Sequence, residues 1–194
     1  MRGRATLAIL EMRLRSERRT LAFACATAAV AGFVAPRALA GPVFFCSVLG
    51  IIIALVQSPG RFPHLDLCEQ GAPLFGRQLA RARALVPCAI VVPATLAYVA
   101  ASAAFAGLRD IPVTLAVTLG AAVASTLIAL SATIRAGAAQ LLYVAMAGAA
   151  SAIAFTLAAV AHSVWGAIAF CAFASFLAVR QYGETLARYD PVET

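Results

Sequence analysis

The chain of 194 residues contains no lysine and no asparagine. A phosphate-binding P-loop sets a lysine against the nucleotide phosphates, so this chain does not hold ATP in that way. Schiff-base catalysis lacks its amine for the same reason. Without asparagine there is no N-glycosylation sequon. Charge of either sign is scarce: 12% of residues are charged and 63% are hydrophobic, whereas an average soluble domain is about 25% charged and about 45–50% apolar. Such a chain cannot bury its apolar surface inside itself, which excludes the soluble globular classes. Five cysteines are present, Cys25, Cys46, Cys68, Cys88 and Cys171, with no CxxC pair. All but Cys68 lie in apolar runs, where cysteine behaves as a small hydrophobe, so neither a disulfide framework nor a zinc site is expected. No HExxH motif, no paired carboxylates on a span and no defensible Ser–His–Asp set appear, so no catalytic residue and no metal ligand is assigned. His64 and His162 fall on opposite sides of the expected topology and cannot share a metal.

What the chain does have is a series of apolar runs. At about 20 residues per crossing, the length allows six or seven membrane helices. The expected fold is an all-α integral membrane protein with six transmembrane helices. The first 19 residues are basic, with Leu7, Leu10 and Leu14 at helical spacing between Arg4, Glu11, Arg15 and Arg18. That pattern predicts an amphipathic helix at the interface, not a secretory signal. Span one is expected over Thr20–Val34 and span two over Val43–Val56, both short for a core of about 30 Å. Residues 58–83 form the main polar stretch between spans, interrupted at Gly71-Ala72-Pro73; its second piece, from about Pro73, is expected to be helical and to run through Arg77, Arg81 and Arg83 into span three. Spans three to six are expected over Ala84–Ala106, Val113–Ile134, Leu141–Ala161 and Val164–Val179, with Pro87 and Pro93 inside the third and a polar tail from Arg180 to Thr194.

Arginine placement sets the expected orientation. With both termini cytoplasmic, Arg2, Arg4, Arg13, Arg15, Arg18, Arg19, Arg61, Arg77, Arg81, Arg83, Arg135, Arg180 and Arg188 lie inside, thirteen against two (Arg37 and Arg109). The formal charge of +7 then reflects membrane topology and lipid headgroups, not nucleic acid. The Arg- and Ala-rich usage points to a GC-rich bacterium and hence to its inner membrane. Ionisable residues are nearly absent from the spans, which disfavours proton- or ion-coupled transport. Ala, Gly, Ser and Thr fill them, including the small-xxx-small pairs Gly120/Ala124 and Gly148/Ala152, the signature of close helix packing. Tyr98, Ser102, Ser125, Thr126 and Tyr143 are the candidate pathway-lining side chains.

The layout resembles the membrane subunit of an ABC exporter, and especially the haem exporter B family. The resemblance rests on the run Leu67-Cys68-Glu69-Gln70-Gly71-Ala72-Pro73-Leu74-Phe75-Gly76-Arg77-Gln78-Leu79-Ala80-Arg81, similar to that family's coupling-helix segment, and on Ala129–Gly137 at the end of span four. It implies that Glu69, Gln70, Pro73, Leu74, Phe75 and Arg77 dock on a separate ATPase subunit, which would hold the ATP and magnesium. It implies no cofactor in this chain, a second permease copy as partner, and export of a small hydrophobic or amphipathic substrate such as haem, as in cytochrome c biogenesis. Residues 141–179 leave little room for the re-entrant outer helices of that family. The alternatives are a scaffold or assembly subunit that transports nothing, and a lipid-modifying enzyme acting through His64, Asp66 and Glu69.

Overall fold

A computed structural model describes residues 2–34, 40–56, 76–106, 110–135 and 137–188. The elements among them are seven α-helices: α1 (Arg2–Ser16), α2 (Arg18–Val34), α3 (Ala40–Val56), α4 (Gly76–Ala106), α5 (Ile111–Ala132), α6 (Ala138–Ala159) and α7 (Val164–Arg188). Among the described residues four segments are long and apolar enough to cross a membrane: Ala82–Phe105, Ile111–Ala132, Ala138–Ala159 and Val164–Leu186. They match the expected spans three to six, and the last extends well beyond Val179. Helices α2 and α3 have 17 residues each, about 25 Å at about 1.5 Å per residue. The apolar run of α3 continues to its end at Val56.

The N-terminal residues Arg2–Ser16 are helical, but α1 is not set apart from the helix that follows. The amides of Glu17 and Leu21 donate to the carbonyls of Arg13 and Glu17, at 3.0 and 2.9 Å. Backbone hydrogen bonding therefore carries through the α1–α2 junction. Leu14 packs against the core while Leu7 stays 65% exposed, and Arg13 is buried. The leucine stripe thus does not form one buried face.

Helix α5 is the hub. It packs against α3, α4, α6 and α7, and from Ala121 to Ala132 only Val123 is not fully buried. Its small residues explain this, since Ala, Gly, Ser and Thr let neighbouring backbones approach. Gly50 of α3 lies so close that a Cβ there would stand 2.9 Å from the Thr126 amide nitrogen of α5. The most extensive single pairing is α2 on α4. There a Cβ on Gly32 would run into the Tyr98 carbonyl oxygen, and the Phe33 and Phe105 rings meet edge-on at 4.8 Å.

Two apolar clusters stack along the bundle. One centres on Phe45, Cys46, Ile90, Ala94, Tyr98, Ala121 and Phe155. The other gathers Ala84, Leu127, Leu130, Ala147, Ala150 and Tyr182. Outside them lies a belt of exposed large apolar side chains, among them Phe23, Phe44, Phe105, Leu141, Phe173 and Phe176. A chain in water does not present such a belt, whereas acyl chains cover it at no cost. The class the fold defines is therefore a multi-pass helical membrane protein.

Candidate functional site

The polar groups with the most developed geometry gather where the C-terminus of α5, the N-terminus of α6 and the C-terminal part of α7 meet. The α5–α6 turn passes through Gly137, whose φ of +65° is the left-handed conformation glycine takes without strain. Just before it, Arg135 is placed by its own amide bonding back to the Ala132 carbonyl at 3.2 Å. Its guanidinium donates to the Ser131 carbonyl at 3.1 Å and to the Thr185 hydroxyl at 3.0 Å. It also lies 4.0 Å from the centre of the Tyr143 ring, a cation–π contact. The Tyr143 hydroxyl in turn donates to the Gln181 side-chain oxygen at 3.2 Å. Arg135 thus ties three helices together at the arginine-bearing end of the bundle. Arg180 and Glu184 form an i,i+4 ion pair on the exposed side of α7.

Of the candidate pathway residues, Tyr143 alone belongs to this cluster. Tyr98 is 2% exposed, and its ring stacks on Phe45 at 4.2 Å with an 8° interplanar angle. Ser102, one turn further along α4, donates to the Gly32 carbonyl at 3.3 Å. These two therefore join α4 to α2 and α3. Ser125 sits between α5 and α6, donating to the Ala147 carbonyl at 2.7 Å and sharing a hydrogen bond with the Ser151 hydroxyl. Thr126 donates to its own helix, to the Ala122 carbonyl at 2.7 Å. Four of the five thus occupy separate helix contacts, and Thr126 bonds within its own helix. The interior also carries hydroxyls that are buried without a hydrogen-bond partner among the described residues, on Thr95, Thr118 and Ser131.

Glu69, Gln70, Pro73, Leu74 and Phe75 lie outside the described residues, as do His64 and Asp66. Arg77 falls in the first turn of α4, and its side chain is likewise outside the described set. Cys25, Cys46, Cys88 and Cys171 are free thiols, and Cys46 donates weakly to the Thr118 carbonyl at 3.5 Å. Among the described residues no group of three or more His, Cys, Asp or Glu comes together in a way that could hold a metal ion. His162, exposed at the α6–α7 turn with φ +51°, is followed by Ser163, whose hydroxyl accepts from the Gly166 amide at 3.2 Å and so caps α7.

Sequence reasoning missed Gln181, Thr185 and Ser151. The first two were assigned to a polar tail. The available signal was the spacing of Gln181 and Thr185, four apart and on one helical face. Ser151 follows Ala147 and Gly148 on a small-residue face, which marked a contact but not its partner. No protein-family model, no curated protein and no solved structure matches this chain.

Proposed function

We propose that this protein is the membrane subunit of an export system, passing a small hydrophobic or amphipathic molecule with the help of a separate ATPase. In this reading α2 and α3 complete a six-span unit, both termini are cytoplasmic, the membrane is a bacterial inner membrane, and two copies pair to match two ATPase subunits. The observation that carries it is the continuity of α4. This helix runs unbroken for 31 residues from Gly76 to Ala106, about 46 Å at about 1.5 Å per residue. Its first residue directly follows Leu74 and Phe75, the apolar anchors proposed to enter a cleft on the ATPase. Its far half carries Tyr98 and Ser102, which hold α2 and α3. Pro87 and Pro93 each remove a hydrogen bond from its ladder, but the helix stays one element, so a push at its N-terminus is carried toward those contacts, and differential binding of the two ATPase states would bias the bundle between two arrangements. The uncharged, hydroxyl-bearing interior supports a hydrophobic or amphipathic passenger and not a small inorganic ion. Haem is one molecule of this class.

A scaffold role is the second reading. It is favoured by the close packing around α5, where Gly50 and Ser125 bring backbones into contact.

The test is affinity purification of the tagged full chain from its native membrane. An ATPase subunit is expected in the eluate, and it should be lost when Leu74→Asp and Phe75→Asp are combined. Recovery of the chain alone, or with membrane proteins that have no nucleotide site, overturns the export reading.

A further inference from the structure

Arg135 is held by neutral groups alone. Its guanidinium meets the Ser131 carbonyl, the Thr185 hydroxyl and the face of the Tyr143 ring. Among the described residues no carboxylate pairs with it, whereas Arg15 and Arg180 each have a glutamate one turn away. The side chain is half-buried, and it keeps N–H donors that neither hydrogen bond uses. Beside it Gly137 opens α6 without a side-chain cap, so the positive end of a 22-residue helix adds to the same field. Hydrocarbon begins at once: Leu141 and Leu142, just ahead of Tyr143, are 72% and 57% exposed.

We propose that this corner of α5, α6 and α7 binds an acidic phospholipid through its phosphate. The unpaired guanidinium requires an anion, and its planar fork suits phosphate oxygens. The leucines supply the reason for a lipid source. A free phosphate would leave them against water, whereas the acyl chains of a lipid cover them. The sign of the surroundings selects an acidic headgroup over a zwitterionic one. Among the described side chains of α5, α6 and α7 at this end, two guanidinium groups, Arg135 and Arg180, stand against one carboxylate, Glu184. That carboxylate is already engaged by Arg180 and by a further contact. Arg83 precedes Ala84 of the apolar cluster that also holds Tyr182, so the nearest arginine of α4 only enlarges the positive surplus. A choline or ethanolamine ammonium brings another cation onto that surplus, and a glycerol headgroup brings none. The site goes beyond the export reading and stands without it.

The experiment uses the full chain, purified and stripped of lipid, then exposed to equimolar dioleoyl phosphatidylglycerol, phosphatidylethanolamine and phosphatidylcholine. Native mass spectrometry reads which is retained. Phosphatidylglycerol is expected to be retained about fivefold over each of the others, the worth of one arginine at an acidic headgroup. Arg135→Gln should abolish that preference. Because Arg135 also ties helices together, Ala139→Asp serves as a second variant that leaves the tie in place. Ala139 is exposed, one turn before Tyr143 on the same face of α6, and an acid in the first turn favours the helix. The introduced carboxylate should take the place of the phosphate and abolish the preference as well. Arg19→Gln removes the same charge from an exposed position on α2 and should leave the preference intact, as should added inorganic phosphate. Equal retention of the three lipids overturns the proposal, as does an undiminished preference in Arg135→Gln or Ala139→Asp. A loss just as large in Arg19→Gln would assign the effect to the basic end as a whole, and displacement by inorganic phosphate would assign the site to a soluble anion; either result overturns it too.

Discussion

Glycine 32 offers the sharpest test of the packing. An added methyl there points at the backbone carbonyl oxygen of Tyr98, with the Ser102 hydroxyl and the Ala101 methyl at 3.0 and 3.1 Å. A backbone oxygen cannot swing aside as a side chain can, so Gly32→Ala must separate α2 from α4. Overpacking of this kind costs about 1–3 kcal/mol, and the upper part of that range is appropriate where the obstacle is main chain. Alanine recovers about 1 kcal/mol in helix propensity. The net loss is about 1–2 kcal/mol, and at about 2–4 °C per kcal/mol for a chain of this length the midpoint should fall by about 2–8 °C. Gly148 is the matched control, because a Cβ there meets only the Ser47 hydroxyl at 3.8 Å. Gly148→Ala should be neutral or slightly stabilising. Gly50→Ala, with main-chain nitrogen at 2.9 Å, should fall between them. Thermal unfolding of the purified variants in one detergent, followed by helical circular dichroism, gives the order. A Gly32→Ala protein as stable as the parent, or a Gly148→Ala protein equally weakened, would refute the close α2–α4 approach.

Ser125→Ala should cost about 0.6 kcal/mol, and at most about 1.7, the range for hydrogen bonds between membrane helices; the Ser125→Ala/Ser151→Ala double variant should lose less than the two single losses combined, because the hydroxyls share one network. Arg135→Lys keeps the charge but loses the fork that reaches Ser131 and Thr185 together, so it should destabilise by about 1 kcal/mol, and a double-mutant cycle with Tyr143→Leu should give non-zero coupling; independent losses would dissolve the three-helix tie. Trp165, the sole tryptophan, is 83% exposed at the start of α7 and is expected at the membrane interface, where indole rings collect. Its fluorescence should be quenched by lipids brominated near the headgroup, and stronger quenching by lipids brominated at the chain ends would place the α6–α7 turn too shallow in this account.

The long spans were readable because length and hydropathy are properties of a segment taken alone. Helices α4 to α7 begin and end within a few residues of the expected boundaries, except at the C-terminal end of α7. At α4 the expected helical piece from about Pro73 runs on into span three, as the helix from Gly76 does, whereas at α7 polar residues suggest a tail. At the end of α7, Arg180 pairs with Glu184 one turn on and Arg135 reaches Thr185 from another helix, and the second contact is invisible to any local pattern. The same limit applies to Tyr98, Ser102 and Ser125. Their chemistry marked them as interior polar groups, but the side each faces depends on which helix arrives next to it. The arginine asymmetry and the small-residue faces were legible; that Glu17 would be buried at a nearly continuous α1–α2 junction was not, since its surroundings at the start of a basic, polar run resemble those of an exposed interfacial acid.

The position of α5 has a consequence for how the chain is made. It touches α3 and α4, which leave the ribosome before it, and α6 and α7, which leave after it. At the moment α5 enters the bilayer, half of its alanine-, serine- and threonine-lined surface has no helix to meet, and lipid must stand in until the last span arrives. The hydroxyls of Ser125 and Thr126 differ in this interval. Thr126 is satisfied within its own turn from the start, whereas Ser125 waits for the Ala147 carbonyl of α6. A nascent chain halted within α6 would therefore hold a half-dressed central helix, the form most open to membrane proteases and insertion chaperones.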